Sequence, residues 1–115
     1  MINGALGLYD SGIGGKTILK EMRKLFPNIE IHYLADTKHF PLGDKAPGEI
    51  KEAVKKGVSF LFDKGCVLVI LACNTASVNT IRYLQQSWIK KNYLGKKVLG
   101  VSIPLLNTFK NILIF

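Results

Sequence analysis

Apolar and polar positions along the chain alternate between strand-like runs and helix-like spacing. Nearly continuous apolar runs occur at residues 5–9, 29–35, 67–72 and 98–101, and each predicts a β-strand. The run at 67–72 has no polar interruption, which is typical of a central parallel strand covered on both faces. Residues 36–48 contain two prolines and two glycines and predict a long loop.

Three segments between these runs have apolar residues at three- and four-residue steps, which predicts amphipathic helices. The first helix is expected to stop at Pro27, the second at Lys64–Gly65, and the third at about Lys91. The apolar positions are Ile18, Leu19, Met22, Leu25 and Phe26 in the first helix, Ile50, Val54, Val58, Leu61 and Phe62 in the second, and Val78, Ile81, Leu84 and Trp88 in the third.

Strict alternation of strands and helices leaves no room for hairpins and predicts an open parallel sheet with right-handed crossovers. We expect an α/β fold of the flavodoxin-like kind, with sheet order 2-1-3-4 and helices on both faces. The chain has 115 residues, which is sufficient for one domain with a real core. Hydrophobic residues make up 48% and charged residues 21%, and this balance excludes an intrinsically disordered chain.

Composition also limits location and partners. No apolar run approaches the ~18 residues of a membrane span, and residues 1–5 do not resemble a secretory signal, so we expect a cytoplasmic protein. The net charge is +8, but the cations are scattered over the polar sides of the predicted helices. We therefore expect a solvated surface and no nucleic-acid site, with a field that would steer an anionic small substrate.

Cys66 and Cys73 are the two cysteines of the chain. At about 3.3 Å per residue in an extended strand they would lie about 23 Å apart, too far for a disulfide. Their spacing matches neither a zinc site nor a dithiol motif, so we expect free thiols and no metal. Cys66 is expected to be a packing residue.

Polar loops follow all four predicted strands, at residues 10–15, 36–43, 73–75 and at Ser102. The carboxyl ends of parallel strands form the usual ligand-binding edge of such a sheet, so these loops should converge there. The segment DSGIGGKT (10–17) resembles a phosphate loop, but Asp10 stands where a Walker A motif requires glycine. A tight strand-to-helix turn and an anion site at the helix N-terminus both remain open for this loop.

Cys73 ends the most apolar strand and precedes Asn74 and Thr75, both good helix N-cap residues. A thiol at a helix N-terminus favours the thiolate, and Asp10 would face the same crevice from the neighbouring strand. A thiol beside a carboxylate is suited to proton transfer. His32, within a strand, and His39, in a loop, are interpreted as structural or solvated.

Three ordered motifs resemble the glutamate racemase family, which belongs to the cofactor-independent aspartate/glutamate racemases. They are DSGIGG at 10–15, AD at 35–36 followed by FPLG at 40–43, and ACNTA at 72–76. The resemblance extends from about residue 5 to residue 104. It implies an enzyme that interconverts L- and D-glutamate and supplies D-glutamate for bacterial peptidoglycan, without a cofactor.

The resemblance also implies roles for individual residues. Cys73 is the thiol that exchanges the α-proton on one face of glutamate, and Asp10 is the carboxylate that assists it. The residues implied to bind the substrate are Ser11, Asn74 and Thr75, which hold its amino and carboxylate groups, and Pro41 and Gly43, which shape the pocket wall.

Two features depart from the family. Leu42 stands where the family usually has tyrosine, and family members are longer and have a second Cys-Thr-His segment in a second lobe. We therefore expect residues 1–103 to be an N-terminal lobe and residues 104–115 the start of the crossover to a second lobe. A homodimer with facing Cys73 residues, assisted by the apolar tail 112–115, would be one substitute for that lobe. The alternatives are a phosphate- or nucleotide-binding module built on Gly12–Thr17 and a non-catalytic interaction fragment.

Overall fold

The computed structural model describes residues 4–10, 15–36, 45–72 and 78–100. The strands are β1 (Ala5–Asp10), β2 (Ile31–Ala35), β3 (Cys66–Leu71) and β4 (Lys97–Gly100). The α-helices are α1 (Gly15–Leu25), α2 (Pro47–Asp63), α3 (Val78–Tyr83) and α4 (Ile89–Asn92), and a π-helical turn, Leu84–Trp88, joins α3 to α4.

All four strands are parallel and lie in the order β2-β1-β3-β4, which confirms the predicted sheet. β1 is central, and Leu6 pairs with Ile31 on one side and with Leu68 on the other. Because β1 is covered on both faces, all six of its residues are buried. The last residue of β1, Asp10, is among these buried residues.

Two apolar layers cover the two faces of the sheet. On one face, Leu6, Leu8 and Ile70 pack against Ile18 and Met22 of α1. On the other face, the core includes residues of α2, the π-helical turn and α4, among them Val54, Val58, Phe62, Leu84 and Ile89. The predicted helices on both faces are confirmed.

Helix α2 begins at Pro47, inside the segment 36–48 that the sequence predicts to be a loop. That prediction is wrong for residues 47–48. Proline at the first position of a helix lacks only an N–H that would have no partner there, and its fixed φ already suits the helix. The predicted end is confirmed, since Gly65 adopts φ +98° and donates its N–H to the carbonyl of Phe62.

Other boundaries differ from the prediction by one or two residues. β1 extends to Asp10, α1 already begins at Gly15, and β3 begins at Cys66 rather than Val67. β2 begins at Ile31, because the preceding residues form a turn in which Ile29 donates to the carbonyl of Phe26. The predicted crossover, 104–115, lies outside the described residues.

Within the described segments, no helix is both long enough and apolar enough to cross a membrane.

Candidate functional site

Backbone hydrogen bonds join the carboxyl end of β1 to the residues that follow β2 and β3. Asp10 is the last residue of β1, and its carbonyl accepts the N–H of Asp36, the residue that follows β2, at 2.7 Å. The carbonyl of Tyr9 accepts the N–H of Ala72, which follows β3, at 2.8 Å. The parallel pairing of β1 with β2 and β3 therefore places these three chain segments side by side.

The carboxylate of Asp10 is fully buried at this edge. Its Oδ2 accepts two hydrogen bonds, from the hydroxyl of Tyr33 at 2.8 Å and from the backbone N–H of Gly15 at 3.0 Å. Its Oδ1 is buried as well and has no hydrogen-bond partner in the part of the chain that the structure describes. One oxygen of this carboxylate is thus fixed by two donors while the other has none.

Gly15 permits the start of α1 to approach the carboxylate this closely. A Cβ at this position would lie closer to Oδ2 and Cγ of Asp10 than van der Waals contact allows. The buried contact between a helix N-terminus and a carboxylate is also electrostatically favourable. The glycine is therefore required by the approach of α1 to Asp10.

A second tyrosine–carboxylate pair lies beside the first. The hydroxyl of Tyr9 donates to Asp36 Oδ2 at 2.6 Å. Tyr9 belongs to the core layer under α2, whereas Tyr33 belongs to the layer under α1. The two pairs therefore cross: each strand, β1 and β2, provides the tyrosine that holds the carboxylate at the end of the other.

Tyr33 is a hydroxyl donor over the whole neutral range. Burial, followed by its hydrogen bond to Asp10 and the negative charge of that residue, raises the pKa of Tyr33 to about 12. A phenol with this pKa keeps its proton and continues to donate to the carboxylate at neutral pH.

Asp10 is the one predicted site residue that lies within the described segments, and it occupies the predicted edge of the sheet. The other predicted site residues lie outside them: Ser11, Pro41, Gly43, Cys73, Asn74 and Thr75. The described segment 45–72 ends at Ala72, the residue before Cys73, and the N–H of Ala72 donates to the carbonyl of Tyr9 in β1. Tyr33 was not singled out from the sequence, because its partner is on another strand and leaves no local motif.

Cys66 lies at the opposite end of the sheet from Asp10, at the start of β3, and is fully buried in the core as predicted. Burial, the largest effect, raises the pKa of its thiol to about 11, while Lys96 lowers it and Glu30 raises it. Among the described residues, no group of three or more His, Cys, Asp or Glu side chains could hold a metal ion.

The phosphate-loop alternative is weakened by the position of Asp10. The N–H of Gly15, in the first turn of α1, is one of the donors that a bound anion would use, but it is already bonded to Asp10 Oδ2. The negative carboxylate also lies where phosphate would have to bind. Thr17 and Lys16 are exposed on α1.

The chain is similar in sequence to glutamate racemases. No protein-family model matches the chain. It is 44% identical over 102 residues to a glutamate racemase of Jannaschia sp. (strain CCS1), and 43% identical over 102 residues to one of Roseobacter denitrificans. Each match covers 89% of this chain and 37% of the relative.

Solved structures show the same similarity. The glutamate racemase of Aquifex pyrophilus superposes with a TM-score of 0.70 at 32% identity, over 90% of this chain and 39% of that one. The glutamate racemase of Thermus thermophilus, in complex with β-chloro-D-alanine, gives 0.69 at 30% identity, over 91% and 39%. The chain thus spans less than two fifths of the length of these relatives.

Proposed function

Because the chain is a homologue of the glutamate racemases over part of their length, we propose that it is the N-terminal lobe of such an enzyme. In this proposal the lobe provides one of the two proton-transfer faces that interconvert L- and D-glutamate. The reaction needs no cofactor and supplies D-glutamate for peptidoglycan in the cytoplasm. The identity of 44% over 102 residues to a glutamate racemase is the observation that supports it most directly.

The chemistry follows from the residue types. The thiolate of Cys73 removes the α-proton of glutamate and becomes a thiol, and the resulting carbanion is protonated on its opposite face by a second acid. Asp10 assists the proton transfer at Cys73, and the buried, hydrogen-bonded position of its carboxylate supports this role. β3 ends at Leu71, two residues before Cys73 in the chain, and its carboxyl end lies at the same edge of the sheet as Asp10.

Substrate binding is assigned to the loops at the same edge. Ser11, Asn74 and Thr75 hold the amino and carboxylate groups of glutamate, while Pro41 and Gly43 form part of the pocket wall. Backbone amides at helix N-termini and short hydroxyl or amide side chains are suitable receptors for a carboxylate. The net charge of +8 would attract glutamate, which has two carboxylates and one ammonium group and is therefore an anion at neutral pH.

Ligand stabilisation separates this function from the nucleotide-binding alternative. D- and L-glutamate, ATP and phosphate would each be added to the chain in a thermal-shift measurement, with Cys73→Ala in parallel. We expect stabilisation by both enantiomers of glutamate and none specific to ATP or phosphate. Stabilisation by nucleotide alone, unchanged in Cys73→Ala, would support the phosphate-binding module instead.

A further inference from the structure

Tyr33 is a half-buried residue of β2 whose hydroxyl lies 2.8 Å from Asp10 Oδ2. Together with the N–H of Gly15 it gives this one oxygen two donors, while Oδ1 of the same buried carboxylate has none among the described residues. A carboxylate with both oxygens free could rotate about its Cβ–Cγ bond and exchange the two. Two donors converging on Oδ2 from different elements prevent this rotation.

The buried Oδ1 of Asp10, unpaired among the described residues, lowers the stability of the folded chain. A buried acceptor without a partner destabilises the folded state, and such atoms in native proteins require an explanation, of which a catalytic role is one. The hydrogen bonds to Oδ2 determine which oxygen is left over. The oxygen that remains available at the carboxyl edge of the sheet is therefore specified by Tyr33 and Gly15.

We propose that Tyr33 is a positioning residue, which fixes Oδ2 of Asp10 and leaves Oδ1 as the oxygen that meets the reacting partner. The catalytic part of this inference rests on the proposed function, since it assumes that Asp10 takes part in proton transfer. The positioning part does not, because it concerns only the hydrogen bonds of Asp10. Tyr9 cannot substitute for Tyr33, because its hydroxyl is directed to Asp36.

The test compares Tyr33→Phe with Tyr93→Phe. Both substitutions remove one hydroxyl from a half-buried tyrosine, but the Tyr93 hydroxyl contacts Ser59 and Asp63 rather than the carboxyl edge. Amide hydrogen exchange at Gly15, followed by NMR, reports how firmly Asp10 is held. We expect exchange at Gly15 to be about tenfold faster in Tyr33→Phe, since a hydrogen bond to a charged group is lost nearby, and unchanged in Tyr93→Phe.

Deuterium exchange at the α-carbon of glutamate in heavy water then reports the catalytic part. In Tyr33→Phe we expect the maximal rate to fall about tenfold with the half-saturating glutamate concentration unchanged, because no substrate contact is removed. If the unsubstituted chain exchanges neither enantiomer, the proposed function fails for this chain, while the Gly15 measurement still decides the positioning. Gly15 exchange within twofold of the unsubstituted chain, or equally fast in both variants, would overturn the positioning.

A second variant, Asp10→Asn, tests the interaction of Asp10 with Tyr33 if Tyr33→Phe does not fold. In Asp10→Asn the negative charge beside Tyr33 is removed while the phenol stays buried. The ¹³Cζ resonance of Tyr33 should then titrate below its value in the unsubstituted chain, where the pKa of Tyr33 is about 12. Identical Tyr33 titrations in the two proteins would show that Asp10 and Tyr33 do not interact, and would contradict the proposal.

Discussion

The chain has two thiols, Cys66 and Cys73, for which we expect different reactivities. Cys66 has no exposed surface, and burial raises the pKa of its thiol to about 11, so at neutral pH only about 1 in 10⁴ of its molecules is the reactive thiolate. Cys73 is predicted to lie at a helix N-terminus, which favours the thiolate. We expect iodoacetamide at pH 7.5 to alkylate Cys73 at least about tenfold faster than Cys66, as measured by peptide mass spectrometry.

The Cys73→Ala variant provides the control, because the alkylation that remains belongs to Cys66 alone. It should be slow in the folded protein and rapid in urea. Equal rates for the two thiols in the folded chain, or faster labelling of Cys66, would contradict the assignment of Cys73 as the reactive thiol.

Asp10 and Tyr33 show which residues of the site can be predicted from the sequence and which cannot. Asp10 was predictable because it ends an apolar run, and a residue that ends a parallel strand lies at the ligand-binding edge. Tyr33 was not, because its relation to Asp10 depends on the register that places Tyr33 beside Leu8. A contact that two strands create across the sheet has no signature in either strand alone.

At the scale of elements, α2 approaches β1 through Gly57. A Cβ at this position would overlap Cε1 and Cδ1 of Tyr9, an aromatic ring fixed by the core and by its hydrogen bond to Asp36. Because the ring cannot move aside, we expect Gly57→Ala to lower the free energy of unfolding by about 1–3 kcal/mol, measured by urea denaturation. This holds even though alanine is the better helix former.

Gly48 is the matched control in the same helix. A Cβ at Gly48 meets nothing within 4 Å, so Gly48→Ala tests helix propensity alone. It should raise the free energy of unfolding by up to about 1 kcal/mol. Two variants that changed stability in the same direction would show that the contact of Gly57 with Tyr9 is unimportant.

The third predicted helix shows the limit of periodicity. Apolar residues at Val78, Ile81, Leu84 and Trp88 predicted one regular helix, but Leu84–Trp88 is a π-helical turn, closed by the N–H of Ile89 on the carbonyl of Leu84. Two residues of this turn make tertiary contacts. Gln85 donates to the carbonyl of Val98, and the ring of Trp88 packs against Phe62 and Tyr93. The three- and four-residue spacing of these apolar residues therefore does not reveal a single π-helical turn inserted between two α-helical segments.

At the scale of the whole molecule, two acidic side chains, the buried Cys66 and the half-buried Tyr33, make the free energy of unfolding depend on pH in the alkaline range. The pKa of Cys66 is raised from 9 to about 11 and that of Tyr33 from 10 to about 12, so the folded state keeps protons that the unfolded chain loses. The free energy of unfolding should therefore be at its full value below pH 9 and fall as the pH rises toward 12. Urea denaturation at a series of pH values measures this decrease.

The contribution of Tyr33 to that decrease can be isolated. In Tyr33→Phe the part of the decrease that occurs above pH 10 should be smaller, while the part that begins at pH 9 and belongs to Cys66 remains. A pH-independent free energy of unfolding between pH 8 and 11.5 in the unsubstituted chain would contradict both assignments.

The length of the chain leads to an expectation about activity. In the proposed mechanism this lobe would provide one proton-transfer group, and the opposite face of glutamate would meet water rather than a positioned acid. We expect the 115-residue chain not to racemise glutamate at a useful rate, but to catalyse α-deuterium exchange with retained configuration. The measurement is exchange at the α-carbon of D- and L-glutamate in heavy water, with the protein sized in parallel.

A homodimer would produce a different result in the same measurement. Two copies with facing Cys73 residues would provide both proton-transfer faces, although the asymmetry of glutamate makes a symmetric pair a poor fit. Inversion of both enantiomers by a defined dimer, abolished in Cys73→Ala, would overturn the expectation of an inactive lobe.

The order of strands in the sheet also governs how the chain can fold while it is being synthesised. β1 can pair with β2 once both have left the ribosome, but its other neighbour, β3, emerges only after α2 has been made. During that interval one edge of the buried strand β1, with Leu6 and Leu8, has no partner. Unpaired strand edges on incomplete chains are sites of aggregation. Slow translation through α2 would therefore lengthen the period in which nascent chains can associate through β1.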